Sequence, residues 1–171
     1  MKIVLYGHPV LRQKSVKVEN IDESLREKLN EMVKLMRKAN GIGLAANQVE
    51  TAQRFFVLEV DGNVKKIINP EILEFGDEIV EYEEGCLSIP MIYKKVNRPD
   101  RIKVKYYNEK EEEITEELTG MWARAFQHEF DHIDGVLFID KLSPMNKRLV
   151  TKKLEILKRD FEKGNIYRED I

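Results

Sequence analysis

The chain has 171 residues, 42% hydrophobic and 35% charged, a balance that argues against a disordered or membrane-spanning protein. At this length two domains would each have little apolar surface to bury, so residues 1–171 are expected to form one domain. A net charge of −2 supplies no strongly basic field for DNA or another acidic polymer.

The opening segment MKIVLYGHPVLRQKS lacks the long apolar stretch of a signal peptide, and no later run approaches the length of a membrane span. A cytoplasmic protein without a membrane partner is therefore expected. His8 has no chemical partner nearby in sequence and reads as a surface or capping residue. The first helix is expected in DESLREKLNEMVKLMRKANG, with Asp22 as N-cap and Leu25, Leu29, Met32, Val33 and Met36 as its apolar stripe. Asn40 and Gly41 stop it.

Residues 54–60 and 64–70 read as strands joined at Asp61-Gly62, a hairpin signal. Residues 77–85 read as another strand. Residues 101–108 alternate Ile102, Val104 and Tyr106 with Lys103, Lys105 and Tyr107, which predicts a strand with one face in water. Glu111 to Glu113 fit a solvated turn or edge. A second helix is expected from Thr119 to just before Gly135, and a last one from Ser143-Pro144, striped by Val150, Leu154, Leu157 and Phe161. The clustering of strands in mid-chain favours an α+β fold, with antiparallel sheet packed on helices, over alternating parallel α/β.

Three segments carry chemistry. In His128-Glu129-Phe130-Asp131-His132 the two imidazoles stand at i and i+4 of the second helix, on one face, where both reach a single ion. Glu129 lies beside that face, placed to take a proton from an attacking water without being a ligand. Met121 and Ala125 fall on the same stripe and are expected in the pocket wall. Two histidines taken at random are more often ordinary polar residues of an amphipathic helix; the three-residue pattern makes that reading the weaker one.

An open catalytic site takes a third protein ligand. Glu155 and Glu162 on the last helix are candidates. So is Cys86, the only cysteine, whose thiolate suits zinc or ferrous iron. A lone cysteine is more often a core residue, but Gly85 and Pro90 around it suggest an irregular loop where backbone could face a ligand. The third segment, Gly41-Ile42-Gly43-Leu44-Ala45-Ala46-Asn47-Gln48, matches neither phosphate-loop pattern. Its small residues could serve close packing alone, or admit substrate while Gln48 offers an amide to a developing oxyanion.

Taken together, GIGLAANQ, EGCLS and HEFDH resemble, in order and spacing, the G-x-G-x-A-A-x-Q, E-G-C-x-S and H-E-x-D-H motifs of the peptide deformylase family. The resemblance implies a metal on Cys86, His128 and His132, with Glu129 as general base and Gln48 and the Leu87 N–H as oxyanion donors. It also implies that Gly43 binds the peptide backbone, that Ile42 and Gly85 border a methionine pocket, and that Glu84 and Arg98 form a supporting ion pair. The activity implied is removal of the N-formyl group from the formylmethionine of nascent polypeptides, with release of formate.

The ligand types suit zinc and iron alike, and the resemblance favours Fe2+, with Zn2+, Ni2+ or Co2+ able to substitute. Lys147, Arg148, Lys152, Lys153, Lys158 and Arg159 give the last helix a basic surface. Such residues usually only solvate a helix; the resemblance adds contact with ribosomal RNA through salt-sensitive phosphate contacts. A small zinc peptidase and a structural metal site are the rival functions, separated from this one by whether Cys86 holds metal and whether Glu129 is needed for turnover.

Overall fold

The computed structural model describes residues 1–171. Helix α1 spans Glu23–Lys38, and Asp22 caps it by accepting a hydrogen bond from Leu25 N at 2.9 Å. Asn40 ends it in the left-handed region, at φ 57°. Strands β1 (Gly43–Ala45), β2 (Phe55–Val60), β3 (Asn63–Phe75), β6 (Arg101–Tyr107) and β7 (Glu113–Thr119) form an antiparallel sheet in the order β1-β2-β3-β6-β7. Strands β4 (Ile79–Cys86) and β5 (Ile89–Pro99) form a second, two-stranded antiparallel sheet. Helix α2 covers Gly120–Ile133 and α3 covers Pro144–Glu162.

The hairpin at Asp61-Gly62 forms as its sequence predicts, with both residues at positive φ (52° and 78°). β2 is buried on both faces, which is why its run FFVLEV does not alternate polar with apolar. Phe55 and Val57 pack with Leu29, Met32 and Met36 of α1, while Phe56 and Leu58 pack with Ala123, Phe126 and Ile133 of α2. The five-stranded sheet thus lies between α1 and α2. On its other side α2 contacts the small sheet, whose Ile89, Ile92 and Val96 pack on Phe138, Ile139 and Val150. The fold is α+β, with antiparallel sheets packed around the helix that carries the H-E-x-x-H motif.

Strands β1, β5 and β7 have no counterpart among the expected strands, and three local features also differ from expectation. β3 continues past Pro70 to Phe75, because register shifts after Ile68 and Ile72 let it pair with β6 through the irregularity. There Asn69, at φ 50°, keeps a backbone bond to Arg54 O at 2.8 Å, and its side chain adds bonds to both Val18 N and Val18 O, each 2.9 Å. The segment around Cys86 is a two-residue turn between paired strands, with Pro90 inside β5, and not an irregular loop. Thr119 occupies the N-cap of α2 but makes no side-chain cap bond. Ser143 does cap α3, accepting from Asn146 N at 3.2 Å, and His8 Nδ1 caps a short 3-10 turn by accepting from Val10 N at 3.1 Å.

Candidate metal centre

The i,i+4 spacing on α2 puts the rings of His128 and His132 on one face, their centroids 5.2 Å apart. β4 ends against that face at Cys86. One donor atom from each of Cys86, His128 and His132 lies within 4.8 Å of the others, and Cys86 Sγ is 3.2 Å from His132 Nε2. Glu155 and Glu162 are solvent-exposed on α3 and take no part in this cluster.

His128 Nδ1 faces Glu84 Oε1 at 2.9 Å, so Glu84 fixes the tautomer that leaves Nε2 free for an ion. Glu84 is in turn held by Arg98, through Nε at 2.6 Å and Nη2 at 3.0 Å, and by Arg124 Nη1 at 2.6 Å. Arg98 Nη1 continues to Asp131 at 2.9 Å. Burial alone would push the Glu84 carboxyl up; the hydrogen bonds from His128 and Arg98 outweigh it and hold the group at about 2.

Glu129 is 4% exposed, and its Oε2 lies 4.0 Å from His128 Nε2. Its Oε1 is buried with no protein partner. Burial raises its carboxyl to about 7, with Glu84 adding to the rise and His128 opposing it. His128 is raised above its ordinary value: burial works against the charged ring, but Glu129, Cys86 and Glu84 favour it more. His132 is lowered by burial and by the charge of His128. One thiol, two imidazole nitrogens and a free carboxylate oxygen beside them fit a single metal ion of the zinc or ferrous kind.

Gln48, 1% exposed, accepts from Ala45 N at 2.9 Å and points Nε2 at Ser88 Oγ (3.1 Å) and Cys86 Sγ (3.6 Å). Leu87 N donates to no protein acceptor. These groups open onto a cavity of about 550 Å³, also lined by Ile42, Gly43, Gly85, Met121 and Ala125. Gly43 lies against the Glu129 carboxylate, and Gly85 against the Tyr93 ring. Arg98 stands behind the cavity wall, reaching it only through Glu84.

Sequence reasoning missed four contributors. Arg124, one turn before His128, donates to Glu84, Val96 O and Val80 O. Its place on the buried side of an amphipathic helix was the available signal. Asp131 had none beyond its position inside the motif. Asn47 donates to His132 O at 2.6 Å, crossing from the glycine-rich segment to the end of α2. Ser88 orients the Gln48 amide.

A helix-borne pair of imidazoles, a thiol from a facing strand and a buried carboxylate beside them define the class: an α+β hydrolase with a donor set for one metal. A sequence profile described as Polypeptide deformylase matches residues 1–148. The chain is 46% identical to a peptide deformylase of Thermotoga maritima over 162 residues, covering 95% of this chain and 99% of that one. A peptide deformylase of Fusobacterium nucleatum is also 46% identical, over 166 residues and 95% of each chain. The crystal structure of the Plasmodium falciparum peptide deformylase superposes with a TM-score of 0.91 at 38% identity, over 95% of this chain and 98% of that one. That of Thermotoga maritima gives 0.82 at 49% identity, over 84% and 97%. The chain belongs to the polypeptide deformylase family.

Proposed function

We propose that this hydrolase removes the N-formyl group from the N-terminal formylmethionine of nascent polypeptides, releasing formate. The observation that carries the reading is the convergence of Cys86, His128 and His132 beside the unpartnered carboxylate oxygen of Glu129, at a cavity of about 550 Å³. Cys86, His128 and His132 would hold the ion. When bound, it supplies a Lewis-acid centre that brings the pKa of water down to roughly 7.

Glu129 takes the proton of the attacking water and later returns it to the departing amine. A carboxyl held at about 7 is suited to both tasks. Gln48 Nε2 and Leu87 N–H donate to the charge that grows on the formyl oxygen. Gly43 admits the peptide backbone, and Ile42, Gly85, Met121 and Ala125 enclose the methionine side chain. Glu84, with Arg98 behind it, holds the His128 ring in register.

Ferrous iron is the metal proposed, with Zn2+, Ni2+ or Co2+ as substitutes that the same donors accept. The proposed workplace is the cytoplasm, beside the ribosome. No helix is long and apolar enough to cross a membrane. The six basic side chains of α3 are all exposed, which supports salt-sensitive docking on ribosomal RNA. Only Val150 of that helix is fully buried, so its outer face is open to a partner.

The decisive experiment combines anaerobic purification, metal analysis and formate release from a formyl-methionyl peptide. Glu129→Gln is expected to retain metal and lose turnover by at least about a hundredfold. Cys86→Ala is expected to lose most of its metal. Full turnover in the first variant, or full metal occupancy in the second, would overturn the assignment.

A further inference from the structure

We propose that residues 166–168 form a strap that sets the oxyanion turn, with Arg168 as a positioning residue for Leu87. The inference rests on the reading of the Leu87 N–H as an oxyanion donor. Arg168 lies outside residues 1–148, the part of the chain that the family profile matches.

The turn between β4 and β5 consists of Leu87 and Ser88 alone. So short a segment has few bonds of its own, and its outward carbonyls are held from elsewhere. Arg168 Nη1 donates to Leu87 O at 3.1 Å, and Tyr6 N donates to Ser88 O at 2.8 Å. The Leu87 side chain rests on Gly41, where an added Cβ would come within 2.7 Å of Leu87 Cδ1. With its carbonyl pinned and its side chain seated, Leu87 has little freedom to turn its N–H out of the cavity.

Arg168 is itself fixed. Its backbone N donates to Ile3 O at 2.8 Å, Leu5 N donates to Ile166 O at 2.8 Å, and Tyr167 pairs antiparallel with Val4. Asp170 takes the opposite edge of the guanidinium, at 2.8 Å from Nε and 3.2 Å from Nη2. Ile171 and Leu87 pack against the same core cluster.

Arg168 lines the cavity, and a free guanidinium there would read as a receptor for substrate carbonyls or carboxylates. The observed geometry favours an anchor. Asp170 neutralises two of its nitrogens, and the third is committed to the Leu87 carbonyl. A misdirected oxyanion donor slows the chemical step and leaves substrate binding nearly unchanged.

The test compares the holoenzyme with Arg168→Ala and Arg168→Lys, measuring kcat and KM on short and long formyl-methionyl peptides, metal content, Tm and hydrogen exchange at the Tyr6 amide, which is bonded to the turn at Ser88 O. Arg168→Ala is expected to lower kcat about tenfold with KM within about twofold and metal content unchanged. Exchange at the Tyr6 amide should quicken, and Arg168→Lys, which keeps one charged donor, should recover most of kcat. Unchanged kcat would overturn the proposal. So would a KM that rises with peptide length at constant kcat, the mark of direct substrate contact, or an equal loss in both variants with a lowered Tm. Should the wild-type enzyme release no formate, the proposed function fails, while exchange at the Tyr6 amide still decides whether Arg168 anchors the turn.

Discussion

Gly43 lies so close to Glu129 that an added Cβ would overlap Oε2 and come within 2.9 Å of Cγ and Cδ. Glycine at this position reflects contact with the carboxylate, because its φ needs no left-handed freedom. Gly43→Ala should therefore push the carboxylate off its place and lower kcat by about a hundredfold, with metal content kept. Metal analysis and steady-state kinetics on one sample check both halves. The sequence pattern already singled out Gly43, Gln48, Cys86, His128, Glu129 and His132, because each motif packs its chemistry into a few neighbouring positions. The partners of Glu84 were less legible. Arg98 and Arg124 come from a different strand and a different helix turn, and only tertiary packing brings them together.

That packing is a property of elements. Glu84 on β4 ties β5 through Arg98 and α2 through Arg124 and His128, so one carboxylate joins three elements in a buried setting. Its folded pKa of about 2 lies below the ordinary 4.5. The carboxyl therefore binds a proton less readily in the folded chain than in the unfolded one. Its contribution, on the order of 3 kcal/mol, is present above about pH 4.5 and is lost as pH falls toward 2. Glu84→Gln leaves Arg98 and Arg124 buried against an uncharged partner and should cost about 3 kcal/mol at pH 7. It should also flatten the loss of stability between pH 4.5 and 2, a comparison that denaturant unfolding at several pH values makes directly.

At this scale the sequence was clearest where one rule decided the outcome. Periodicity and the Asp22 cap placed α1, and Asp61-Gly62 placed the β2–β3 hairpin. β1, β5 and β7 were not legible: β1 is only Gly43–Ala45, buried throughout, β5 begins with Ile89-Pro90, which reads as a break, and β7 follows a glutamate run that reads as a solvated turn or edge. The continuation of β3 was hidden because Pro70 suggests a stop, while the Asn69 side chain supplies the bonds that keep the bulge in place.

For the whole molecule, the metal should act as a folding ligand. Its donors come from β4 and α2, which only the native packing brings together, so binding favours the folded state. Reloading the chelated protein at a hundredfold excess over Kd should add about 3 kcal/mol. That corresponds to a rise of about 5–10 °C in Tm for a chain of this size. The gain should shrink at acid pH, since Cys86 and His128 must be unprotonated to bind and the charges around His128 favour its proton. Calorimetry on the chelated and reloaded protein at pH 6 and 8 measures the difference.

The separation of the donors along the chain also sets an order of events during synthesis. Cys86 emerges from the ribosome before His128 and His132, and at about 5–20 residues per second the thiol waits several seconds for its imidazoles. Through that interval it is an ordinary oxidisable side chain on a growing polypeptide. Residues 166–168, which pair with residues 3–5, come later still. An enzyme whose substrates are nascent chains is thus itself exposed, as a nascent chain, for as long as its strands remain unpaired.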